Sequence, residues 1–137
     1  MKKYFILSIA ALALFGCKNK MPLDRYNYFP KEINLADYEN LEFVKLRSGS
    51  TITVNVAENP TTGHAWQTQS EKDCSVSIDK GKFTQDEAPE FMVGVGGTKT
   101  YEITAKKSGS CLIEFKHVAP GEKGDVVERK GIYFIVE

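Results

Sequence analysis

Acid–base chemistry near neutral pH draws first on histidine. This 137-residue chain has two, His64 and His117. A histidine-dependent enzyme would need them to converge on one pocket, and a metal pair would need the same. The three cysteines, Cys17, Cys74 and Cys111, are the available thiol nucleophiles. Cys111 alternates with Ile113 and Phe115, which reads as a core-facing strand rather than a nucleophile beside a base. No Gly-x-Ser-x-Gly elbow, His-Glu-x-x-His helix or Cys-x-x-Cys pair is present. No catalytic residue, metal ligand set or cofactor is therefore expected.

Two short runs invite binding chemistry instead. Gly94-Val95-Gly96-Gly97-Thr98-Lys99 looks at first like a phosphate loop. Such a loop needs Gly directly before Lys and a helix after it, whereas here Thr98 precedes Lys99 and a strand pattern follows. The glycines leave two readings open: a turn needing positive φ, or a bare backbone that a partner approaches closely. Asn59-Pro60-Thr61-Thr62-Gly63 joins two strand patterns. Asn-Pro starts turns, Pro60 fixes φ, and Gly63 can take the left-handed conformation. Thr61 and Thr62 are then expected near the tip with their hydroxyls available. A tip stiffened in advance loses little entropy on binding, which suits recognition.

The elements that must position these loops are strands. Leu41–Leu46 is rich in strand formers, and Thr51–Val56 alternates with Ile52, Val54 and Val56 on one face. Ala65–Gln69 carries the single tryptophan, Trp66, expected as core filling. Cys74–Ile78 and Lys82–Thr84 are weaker candidates. Lys99–Ala105, the run around Cys111, Ile113 and Phe115, and Ile132–Val136 alternate again. About seven strands in about 100 residues, with no amphipathic helix, predict an all-β, immunoglobulin-like sandwich, with a small barrel as the alternative.

The chain opens as an address. Met1-Lys2-Lys3 precedes the 12-residue apolar run Tyr4–Phe15, too short to span a bilayer as a helix and fitting a signal peptide over residues 1–16. Gly16-Cys17 resembles a bacterial lipobox, which implies lipid on Cys17 and an exported, membrane-anchored protein; plain secretion is the alternative. Residues 17–31 read as a tether, with Tyr26, Tyr28 and Phe29 able to dock on the domain edge, and 32–137 as the folded domain. Lys and Arg total 18, as do Asp and Glu. Removing residues 1–16 takes away Lys2 and Lys3 and leaves a slight acidic excess, so a nucleic-acid partner is not expected. Cys74 and Cys111 are left either as a disulfide, which export permits, or as two buried thiols.

Asn59-Pro60-Thr61-Thr62-Gly63, then Ala65-Trp66, then Gly94-Val95-Gly96-Gly97-Thr98 together resemble the chagasin-type inhibitors of cysteine proteases. The likeness spans about Leu41–Glu137 and implies an immunoglobulin-like sandwich whose loops enter the cleft of a papain-like cysteine protease. By that resemblance Asn59–Gly63 lies over the protease's catalytic pair, with Thr61 closest to its histidine, and Gly94–Thr98 runs along the cleft. Inhibition is then reversible occlusion by a monomer. The third loop of such inhibitors reads Arg-Pro-Trp or Arg-Pro-Phe; here Ala119-Pro120-Gly121 keeps only Pro120. His64 stands where Tyr or Phe is frequent. Glu122 and Lys123 are candidate substitute contacts. The other reading is an immunoglobulin-like surface lipoprotein acting as an adhesion or assembly module.

Overall fold

The computed structural model describes residues 26–137. The leader over residues 1–16, Cys17 and the first part of the expected tether lie outside the described residues.

Each alternating run becomes a strand that buries one face. Residues i, i+2 and i+4 of a strand point the same way. Ile52, Val54 and Val56 on β4 (Thr51–Glu58), Tyr101, Ile103 and Ala105 on β8 (Gly97–Ala105), and Cys111, Ile113 and Phe115 on β9 (Gly109–Val118) are all buried. Ile132, Phe134 and Val136 on β10 (Val126–Val136), and Val44 and Leu46 on β3 (Leu41–Leu46), complete the two inner faces. One sheet runs β1-β3-β10-β9-β5, where β1 is Tyr26–Tyr28 and β5 is Ala65–Ser70. The other runs β2-β4-β8-β6, with β7 also pairing β8; these are Glu32–Asn34, Val76–Ile78 and Lys82–Gln85. The result is the expected all-β, immunoglobulin-like sandwich, with no α-helix among the described residues.

The shortest strands lie toward the edges of the sheets. The two weaker candidates, Cys74–Ile78 and Lys82–Thr84, become the short strands β6 and β7, which line up successively along β8. The backbone of residues 26–34, much of it expected as tether, instead adds short parallel strands to each sheet: β1 beside β3 and β2 beside β4. Phe29 N–H donates to Lys45 O at 3.0 Å, and the Arg47 guanidinium stands 4.6 Å over the Phe29 ring. The alternative of docking on the domain edge describes this backbone.

Cys74 and Cys111 are joined, with Cα atoms 5.1 Å apart. The bond ties the stretch before β6 in one sheet to β9 in the other. Closing a loop of that length stabilises the fold by about 4 kcal/mol in the chain-entropy account. It decides the sequence alternatives in favour of the disulfide.

Candidate functional site

Strand register brings three loops to one end. Glu58 at the end of β4 pairs with Gly97 at the start of β8, and Gln85 at the end of β7 pairs with the same glycine. Val118 at the end of β9 faces both Ala65 and Val126. The connections 59–64, 86–96 and 119–125 therefore leave the sandwich together.

The middle loop is built around one side chain. Pro60–Thr62 form a single 3-10 turn, and Asn59 caps it: its Oδ1 accepts from Thr61 N–H at 3.2 Å and from the Thr61 hydroxyl at 2.6 Å. The Thr62 hydroxyl donates to Asn59 O at 2.8 Å, and Gly63, at φ 78°, ends the turn in the left-handed region. Thr61 and Thr62 stand exposed at the tip as expected, but both hydroxyl protons are spent inside the loop. What the tip offers outward is methyl groups and unused oxygen lone pairs on a fixed frame.

Asn59 also reaches sideways. Its Nδ2 donates to Gly94 O at 3.0 Å, which fastens the middle loop to the 86–96 loop. On the other flank Gly63 lies against Pro120, where an added Cβ would come within 2.9 Å of the proline Cβ. Asn59, Thr61, Thr62, Gly63, Gly94 and Pro120 are thus one continuous rim.

The glycine run splits into two roles. Gly94, at φ 75°, makes the turn that the sequence reading allowed for. Gly97 is buried at the start of β8, and a Cβ there would collide with the Thr84 carbonyl. A Cβ on Gly96 would press on Glu58 O at 3.3 Å. The close backbone approach that these two glycines allow is to neighbouring strands of the same molecule. Gly97 and Thr98 therefore serve as strand anchors below the rim, while Gly94 and Val95 stay in the loop.

Beneath the rim, Trp66 fills the core and supports the loop bases. Its indole N–H donates to Ala57 O at 3.0 Å. Its carbonyl accepts from Lys99 Nζ and Tyr101 Oη, each at 3.2 Å. Lys99 Nζ is 3.6 Å from the largely buried Glu58 carboxylate. Burial, helped by the Glu58 and Asp79 carboxylates, holds the Tyr101 phenol well above its ordinary range, so it remains a donor.

One group was missed by sequence reasoning. The 86–96 loop exposes Phe91, Met92 and Val93, with Phe91 87% and Val93 93% exposed. A turn closed by Met92 N–H to Pro89 O presents them. Large apolar side chains exposed side by side signal a contact surface. The signal was there in sequence: three bulky apolar residues between Pro89 and Gly94, outside any alternating pattern. The third loop differs. Ala119 N–H to Asp125 O closes it at 2.8 Å, and Gly121 sits at φ 126°, a backbone angle at which an aromatic residue would be strained.

His64 and His117, expected not to form a site, do converge, with ring centroids 5.4 Å apart. Among the described residues no group of three or more His, Cys, Asp or Glu is arranged to hold a metal.

A family model for the chagasin family peptidase inhibitor I42 matches residues 45–135. Chagasin of Trypanosoma cruzi is 28% identical over 89 residues, covering 56% of this chain and 78% of chagasin. Among solved structures, the cysteine protease inhibitor EhICP2 from Entamoeba histolytica superposes with a TM-score of 0.64 at 18% identity, over 82% of this chain and 97% of that one. PbICP-C, solved in complex with falcipain-2, gives a TM-score of 0.54 at 14% identity, over 82% and 99%. At these identities the structural matches establish the shared fold.

Proposed function

This chain belongs to the chagasin family of peptidase inhibitors, and from that premise we propose that its three-loop end reversibly occludes the active-site cleft of papain-like cysteine proteases. The observation that carries the reading is the rim: a middle loop held by its own hydrogen bonds, tied to the 86–96 loop through Asn59 and packed against Pro120 at Gly63. A surface already held in its bound shape avoids the ordering cost of association. The exposed, narrow turn at Thr61–Thr62 fits a cleft, and no bond of the inhibitor needs to break. Phe91, Met92 and Val93 add the apolar area that the third loop lacks, since Ala119 and Gly121 stand where Arg and an aromatic are usual.

We also infer export, from the basic start, the short apolar run and the Gly16-Cys17 junction, with Cys17 as the point of lipid attachment. The Cys74–Cys111 disulfide is consistent with an oxidising compartment.

The test is a papain titration with the purified protein, followed by dilution. Inhibition that reverses on dilution is expected. Replacing Thr61 and Thr62 together by arginine is expected to weaken inhibition strongly with little change in melting temperature, because both side chains are exposed. A folded sample that leaves papain fully active at tens of micromolar would overturn the reading. Equal inhibition by the double variant would remove the middle loop from the contact.

A further inference from the structure

We propose that His64 and His117 form a two-histidine site for a divalent transition-metal ion, zinc in the first instance, in the mouth of the sandwich directly behind the middle loop. Both rings line one cavity of ≈540 Å³, open to solvent and shared with Glu58, Thr62, Asp86 and Val127.

Ring separation is the first argument. An imidazole nitrogen binds zinc at about 2.0–2.1 Å, which puts the ring centre roughly 3.2 Å from the ion; two rings on one tetrahedral ion then have centres roughly 5 Å apart. The observed separation is 5.4 Å, with the ring planes tilted by 43°. That separation is of the size shared coordination requires.

Proton placement is the second. The Thr62 hydroxyl has one proton, and it goes to Asn59 O, which can only accept. The 3.3 Å contact between Thr62 Oγ1 and His64 Nδ1 must then be donated by the histidine. In the neutral ring the proton then sits on Nδ1 and Nε2 keeps its lone pair. A ligand histidine usually has its other ring nitrogen held by an oxygen in this way. His117 is clamped by Trp66, which stacks on its face at 4.8 Å with 12° between planes and leaves the nitrogens at the ring edge open.

The site offers two protein ligands, so solvent completes the coordination. Nitrogen ligands with open positions favour zinc, copper or nickel over calcium or magnesium. An ion there would bridge the start of β5 to the end of β9. It would also hold His64 against Thr62, coupling metal binding to the rigidity of the middle loop.

The test is calorimetric titration of Zn²⁺ into the protein carrying Cys17→Ser, which removes the one thiol outside the disulfide. One equivalent is expected to bind, with His64→Ala and His117→Ala each weakening binding at least about tenfold. NMR of the imidazole signals, with both histidines in place, guards against variants that misfold: Zn²⁺ must shift both His64 and His117. Absence of binding, binding that survives either substitution, or a shift confined to one ring would overturn the proposal. The result is independent of inhibition, since a protein that binds zinc and spares papain would still have the site.

Discussion

The middle loop, 59–64, and the 86–96 loop stand side by side at one end of the sandwich, yet they are built on opposite principles. In the first, nearly every polar group is satisfied within the turn or by its neighbours, and little apolar surface is offered. In the second, few internal bonds hold a longer stretch, and its Phe91, Met92 and Val93 face solvent. The contrast separates two tasks that binding requires. One loop supplies a fixed shape at low entropic cost, and the other supplies apolar area that becomes buried only on contact. Asn59 joins them, because the same side chain that caps the turn also holds Gly94 O.

Both loops depend on the sandwich, and the largest expected effect tests that dependence without touching either. Replacing Cys74 and Cys111 together by serine should cost about 4 kcal/mol of unfolding free energy in a denaturant titration. Inhibition measured where the variant remains folded should be unchanged, because the bond lies away from the loop end. A loss of inhibition by folded protein would show that scaffold and rim are not separable.

The apolar loop comes next. Phe91→Ser with Val93→Ser should weaken papain inhibition about a hundredfold, the size expected when two contact anchors are lost. Stability should be nearly unaltered, since both side chains are exposed in the free protein. Unchanged inhibition would mean that this loop does not carry the buried area.

Asn59→Ala addresses the joint. It removes the cap and the link to Gly94 at once, and should cost about 2 kcal/mol, divided between a lower melting temperature and weaker inhibition. A stability loss with no change in inhibition would deny the middle loop its shaping role. The smallest effect is expected at the third loop. Pro120→Ala should alter inhibition by no more than about threefold, since truncating a contact outside the hot spots costs under 1 kcal/mol. A larger loss would move that loop from the margin to the centre of the contact.

Much of this architecture was legible in the sequence, and the parts that were not have physical reasons. The central strands follow from strict alternation at Ile52-Val54-Val56 and Ile132-Phe134-Val136, because burial of one face imposes period two. β1 and β2 escaped because three-residue edge strands hold too few residues to show a period. The cap at Asn59 was readable from Asn-Pro and Gly63, whereas the inward turn of the threonine hydroxyls depends on side-chain geometry that no spacing encodes. Gly97 illustrates the same limit: its need to be bare arises from Thr84, a residue on another strand. His64 and His117 meet only because β5 pairs with β9, a long-range pairing invisible to local pattern.

The most direct test of cleft occlusion compares binding of this protein to papain with its active-site cleft open and with the cleft filled by an irreversible active-site inhibitor. Binding to the open enzyme and its loss on the filled enzyme is the predicted result. Equal binding to both would contradict occlusion and favour attachment through the sheets, as an adhesion or assembly module would use.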